Sequence, residues 1–129
     1  GAWQWISTGG AHNNYDGVTG LAIKSDGTIV TSAIYQEYGT PSYGAFTLAP
    51  TNHDRDIALL KLDSSGSWIS ADRIGTVADG WSGTEDAIDI DVLPNGKTAL
   101  LANFTSTNLV VANSTVSTTG GFDILVAVR

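Results

Sequence analysis

The sequence predicts an all-β fold built from two copies of one antiparallel unit, and three observations carry that prediction. The chain is internally repeated: Trp5-Ile6-Ser7 returns as Trp68-Ile69-Ser70, the turn at Asp26-Gly27 returns at Asn95-Gly96, and Asp56-Ile57 returns as Asp123-Ile124. The offsets at these points are 63, 69 and 67 residues, so the copies differ only by small loop insertions, as in a repeat architecture. Apolar residues run in short alternating stretches, and no helix-length window carries them at helical spacing without interruption. Finally, the 15 Gly, with many Ser and Thr, punctuate the chain at intervals that suit strands joined by turns.

In chain order, the first copy predicts strands at 18–24, 28–35, 56–62 and 67–73. The second predicts strands at 87–93, 97–104 and 123–129, with its fourth strand missing. Asp26-Gly27 and Asn95-Gly96 are strong hairpin signals and predict two-residue turns with positive φ. Asp63-Ser64-Ser65-Gly66 turns the third strand of the first copy into its fourth. The polar stretches 36–55 and 105–122 read as long connections, with room for a short extra hairpin at Ala45 to Leu48 and at Leu109 to Ala112. At 129 residues the chain forms one module, divided into repeats 3–67 and 68–129.

The run Gly20-Leu21-Ala22-Ile23, followed by Gly27-Thr28-Ile29-Val30-Thr31, a polar loop, and then Asp56-Ile57-Ala58-Leu59-Leu60-Lys61-Leu62-Asp63, with Gly66 and Trp68, resembles the bacterial β-propeller repeat family often called SBBP. The resemblance covers nearly the whole chain, once per copy. The second copy departs from it where Asp89 and Asp91 replace small or apolar residues and where Leu93-Pro94 precedes the turn. It implies four-stranded antiparallel blades around a central axis and an extracellular or cell-surface bacterial setting, but no single activity. Propellers have about four to eight blades, so two cannot close a ring. The expectation is therefore that residues 3–8 of one chain act as the fourth strand of a neighbour's second blade, and that this head-to-tail contact closes a homo-oligomer. Three chains would give a six-bladed β-propeller, the favoured reading, and four chains would give eight. The alternative is a fragment of a longer array, or a domain that pairs its edge by another route such as a dimeric sandwich.

Charge and motif content limit the function classes. Six Lys and Arg stand against thirteen Asp and Glu, and a net charge of −7 disfavours a nucleic-acid backbone as partner. With no Cys, disulfides, thiolate catalysis and Cys-bound zinc are ruled out. No apolar run approaches the ~20 residues of a spanning helix, so no membrane insertion is expected. His12 and His53 lie in polar loops without a nucleophile elbow, and no Gly-rich stretch leads into a helix that would cradle phosphate. The group His53-Asp54-Arg55-Asp56 suggests acid–base chemistry, but a loop His beside Asp is ordinarily solvated. No catalytic residues and no enzymatic activity are expected.

What remains points to binding. Trp81, flanked by Gly80 and Gly83 in a loop without apolar neighbours, suits stacking on a sugar ring, and Tyr15, Asn14, Asp16 and Glu85 would supply a second ring and the polar contacts. Tyr35, Tyr38 and Tyr43 offer a second aromatic set. The competing view is that loop aromatics simply cap blade ends. Asp86, Asp89, Asp91 and Asn95 form a weak Ca²⁺ candidate, because oxygen ligands at spacing two share one strand face; carboxylates facing a solvated channel are the simpler account, and no cofactor is expected. Asp56 and Asp123 recur at equivalent strand starts, where accepting backbone N–H bonds explains them. Trp5 and Trp68 are expected to pack between blades. The leading expectation is a glycan-binding, lectin-like module with inter-blade sites; the alternative is a protein-interaction scaffold with no small ligand.

Overall fold

Alternation of apolar and polar residues becomes eleven strands, with no helix, among the residues described by a computed structural model: 1–10, 15–36, 39–51, 54–76 and 83–129. The strands are β1 (Tyr15–Ile23), β2 (Ile29–Gln36), β3 (Ser42–Tyr43), β4 (Phe46–Thr47), β5 (Asp56–Leu62), β6 (Trp68–Ile74), β7 (Glu85–Val92), β8 (Thr98–Phe104), β9 (Leu109–Val111), β10 (Ser114–Val116) and β11 (Asp123–Val128). A first antiparallel sheet has the order β1-β2-β5-β6, and a second has the order β11-β8-β7. The long connections carry the small hairpins β3-β4 and β9-β10. Thus one unit is four-stranded and the other, among the described residues, is three-stranded.

The two sheets are copies down to their irregularities. A register shift interrupts β1 between Val18 and Gly20, and another interrupts β7 between Ala87 and Asp89, positions related by the 69-residue offset. The turns differ from the two-residue form expected. In each, a carbonyl accepts the N–H of a Gly three residues on, at Lys24/Gly27, Asp63/Gly66 and Leu93/Gly96, with distances of 2.9, 3.0 and 2.8 Å. The Gly φ values are 84°, 84° and 78°, whereas Asp26 and Asn95 stay out of the positive-φ region. These are three-residue loops in which a type I turn ends on a left-handed Gly. Side-chain oxygens of Asp26 and Asn95 accept the N–H two residues on, at 2.9 and 3.1 Å, which holds each loop in that form. Pro94 fits because its fixed φ matches the first central position of a type I turn.

Side-chain alternation gives each sheet two faces. The back of the first sheet, carrying Val30, Ile34, Ile57, Leu59 and Ile74, packs on the front of the second through Ala87, Ile90, Leu100, Ala102 and Phe104, with Leu109 of the β9-β10 hairpin joining the cluster. The front of the first sheet, with Ala33, Tyr35, Ala58 and Leu60, is covered in part by the β3-β4 hairpin through Tyr43 and Leu48 and by Trp68. A side chain such as Ile57 or Leu100, moved from water into these interfaces, contributes about 1.5–3 kcal/mol.

Residues 3–8, expected to be a strand, form none within this chain. Gly10 and Ser42 exchange backbone hydrogen bonds at 2.9 and 3.0 Å, and the preceding residues lie along the first sheet. The Trp5 indole donates to the Ser64 carbonyl at 3.2 Å, Ser7 donates to the Gly66 carbonyl, and the Trp68 indole donates to the Thr8 carbonyl at 3.2 Å.

Candidate functional site

The junction between the sheets is organised by backbone pairing. The N–H of Glu85 donates to the Arg55 carbonyl at 2.8 Å, and Arg55 and Thr84 form a parallel bridge, so β7 begins beside the start of β5. This places two carboxyl groups, Asp56 and Glu85, in one enclosed space, and neither residue has any solvent exposure. Arg73, from β6, donates through Nε to Asp56 Oδ2 and through its terminal nitrogen to the Thr76 carbonyl. Ser106 donates to Glu85 Oε1. Tyr35 lies opposite Asp56 across the β2-β5 pair and donates its hydroxyl to the Ala49 carbonyl at 3.1 Å. Gly75 leaves room for the carboxylate: a Cβ there would lie 2.2 Å from Asp56 Cγ.

The electrostatics of this node follow from burial. Loss of hydration pushes the Glu85 carboxyl up to about 9, and the neighbouring Asp56 carboxyl, hydrogen-bonded to it, adds to the shift. Burial also raises Asp56, while the Arg73 guanidinium opposes that rise. Burial, then the Asp56 charge, raises the Tyr35 phenol. Glu85 therefore keeps its proton at neutral pH, and the Arg73 guanidinium opposes the negative field of Asp56 and Asp54 around it. Asp56 Oδ1 and Glu85 Oε2 are buried without another donor among the described residues, and a proton on Glu85 supplies the hydrogen bond that links the two side chains. With neither side chain exposed, the pair sits within the packing between the two sheets.

The expected glycan contacts fall partly outside the described residues. Trp81 and Asn14 lie outside the described residues, as do Tyr38, His12 and His53. Tyr15 and Asp16, expected in a loop, open strand β1 opposite Gln36 and Tyr35, and Tyr15 is 56% exposed. Glu85, expected to bind a ligand, is instead buried in the carboxyl node. Tyr35 and Tyr43, the expected second aromatic set, are buried in the core of the first sheet. Tyr43 meets Trp68 edge-on at 5.4 Å.

The acidic residues of the second sheet have local or ionic partners. Asp89 and Asp91 each accept the following backbone N–H, at 2.8 and 2.7 Å, Asn95 is held by its turn, and Asp86 pairs with Arg55 at 3.2 Å. Among the described residues no group of three His, Cys, Asp or Glu side chains converges as a metal site would require. Asp123 accepts the Thr119 N–H at 2.8 Å as expected, while the buried Asp56 engages Arg73.

Two surface features border β11, the terminal strand expected to leave an open apolar edge. The back of the second sheet exposes Leu101 on β8 with Ile124, Val126 and Val128 on β11, an edge strand among the described residues, and Ile88 on the opposite edge strand β7 is exposed as well. Beside β11, a cleft of about 440 Å³ opens between β6 and the front of the second sheet, lined by Leu59, Ile74, Leu100, Val111 and Ala127. Arg129 and Asp72 pair at 2.6 Å at this cleft. No family model, curated protein or solved structure matches this chain.

Proposed function

We propose that the chain is a non-catalytic interaction module, a two-blade unit of β-propeller type that binds protein through the exposed apolar face of its second blade. The observation that carries this reading is the set Leu101, Ile124, Val126 and Val128, exposed across β8 and β11 at a sheet edge that no described residue pairs. Isolated surface apolar residues need no explanation, but a clustered sheet face of this kind marks an interface. The SBBP-like repeat pattern supports the blade reading. Among the described residues, the glycan reading draws on the exposed Tyr15, beside Asp16, while the Glu85 carboxyl is buried.

Sedimentation of wild type and Val126→Asp over a concentration series, combined with a sugar array, separates the two readings. The expected result is association of the wild type that is lost in the variant, whose side chain is exposed and whose fold is kept. A sugar signal abolished by Tyr15→Ala, with association indifferent to Val126, overturns it.

A further inference from the structure

We propose that the outer edge of β11 seats residues 5–10 of a second copy of this chain, which complete the second blade as its fourth strand. This rests on the interaction reading above and names its partner.

Both halves of the repeat's own interface lie open, at opposite ends of the molecule. Ile57 and Leu59, on the back of the first sheet, are 0% and 5% exposed against the second sheet, while their repeat equivalents Ile124 and Val126 are 73% and 68% exposed. On the mating side, Ala87 and Ile90 at the front of the second sheet are 3% and 4% exposed. Their equivalents at the front of the first sheet, Val18 and Leu21, are 76% and 60% exposed. The surface complementary to the open back of the second blade is therefore the open front of a first blade, and this chain carries both. Such a contact is head-to-tail and propagates until rotation closes a ring; three copies give six blades, within the range in which sheets pack face to face around an axis.

The strand partner follows from the same equivalence. In the first sheet, β6 pairs with β5 in the register Lys61↔Ser70, Leu60↔Ala71 and Leu59↔Asp72. Carried over by the offsets of 67 and 63, this sets Ser7, Thr8 and Gly9 of the second copy opposite Val128, Ala127 and Val126. Within one chain, residues 5–10 already stand where such a strand would lie. Gly10 bridges to Ser42 beside the β3-β4 hairpin, just as Gly75, after β6, bridges to Val110 beside the β9-β10 hairpin. The cleft beside β11 matches the position that Trp68 fills in the first sheet, and Trp5 is the equivalent indole.

Two departures from exact repetition shape this joint. Asp89 and Asp91 stand where Gly20 and Ala22 allow close approach; a Cβ on Gly20 would lie 3.0 Å from Ile90. The joint between copies is consequently more open near the axis, with those carboxylates in water. Asp16 and Gly10 also take the places of Glu85 and Arg73, so the arginine-balanced carboxyl node is not repeated between copies.

The chain has no Cys, so introduced thiols report cleanly. Thr8→Cys and Ala127→Cys are prepared as separate full-length variants, mixed and oxidised; within a single chain the first sheet stands between these positions. Paired strands hold Cα atoms within the disulfide range of about 4.4–6.8 Å. Positioning raises the effective thiol concentration to about the millimolar range, so the 8–127 product is expected to exceed that from Thr8→Cys with Asn113→Cys by about tenfold or more. Light scattering on wild type is expected to give about three times the 13.4 kDa chain mass. Association that Val126→Asp abolishes, without preferential 8–127 linkage, overturns the strand pairing and leaves the interaction reading standing. Preferential linkage with association indifferent to Val126→Asp overturns the interaction face instead. A monomeric wild type with no 8–127 product overturns the pairing outright.

Discussion

Replacing Glu85 with Gln isolates the proton held between the two buried carboxyls. In the folded chain Glu85 keeps its proton up to about pH 9, whereas in the unfolded chain the group ionises near its ordinary value of 4.5. A folded-state value that is raised means the stabilising contribution is complete below the unfolded value and is lost as pH rises toward the folded one. Between these limits the unfolded state releases a proton that the folded state retains, so stability falls by about 1.4 kcal/mol per pH unit. Gln removes the titration and keeps the shape. Its carbonyl can accept from Ser106 and its amide can donate to Asp56, in place of the Glu85 proton. Urea unfolding of both proteins at about pH 5.5 and 7.5 should show the difference between them changing by about 3 kcal/mol in favour of Gln at the higher pH. Taking the difference cancels titrations of groups distant from residue 85. Parallel pH profiles for the two proteins would refute a protonated Glu85 and the account of the node built on it.

Other substitutions test the packing. Gly75→Ala drives a methyl into the buried Asp56 carboxylate and should cost about 1–3 kcal/mol or more in urea unfolding, the scale of an overpacked core. Gly96→Ala meets no neighbouring atom, so only its left-handed φ of 78° is penalised, and a loss of about 1 kcal/mol is expected. Ile57→Ala should cost about 2–5 kcal/mol, while the repeat-equivalent Ile124→Ala leaves the stability of the dilute single chain nearly unchanged; equal costs would contradict the exposure assigned to β11.

Much of the fold was legible because period-two alternation and glycine turns are local signals. The predicted 28–35, 56–62 and 123–129 lie within a residue of β2, β5 and β11 at every boundary. The starts of β1 and β7 were read about two or three residues late. Gly17 and the register shifts after Val18 and Ala87 break the alternation there, and the start of β7 is held by its nonlocal bond to Arg55. Asp-Gly and Asn-Gly do not by themselves distinguish a two-residue from a three-residue loop; Pro94 was the available signal, since it suits a type I turn. Tyr35 and Tyr43 looked like loop aromatics because their sequence neighbours are polar, yet the hairpin folds back and buries both. The Asp56–Glu85 pairing had no sequence signal beyond an acidic residue heading each strand, because partners in different sheets meet only once the sheets stack. The open apolar face was implicit in the repeat: Ile124 and Val126 match residues that one sheet buries against another.

The arginine-balanced node has a consequence for how the molecule melts. Repeat arrays commonly unfold piecemeal, since their stability is close to a sum of unit terms and nearest-neighbour terms. Here, parting the two sheets would uncover Ile57, Ile74, Leu100 and Phe104 while drawing Glu85 away from the Asp56–Arg73 pair on the opposite sheet. Neither repeat can leave the other without losing both its apolar cover and its carboxyl partner, so the two duplicated halves are expected to unfold together in a single transition.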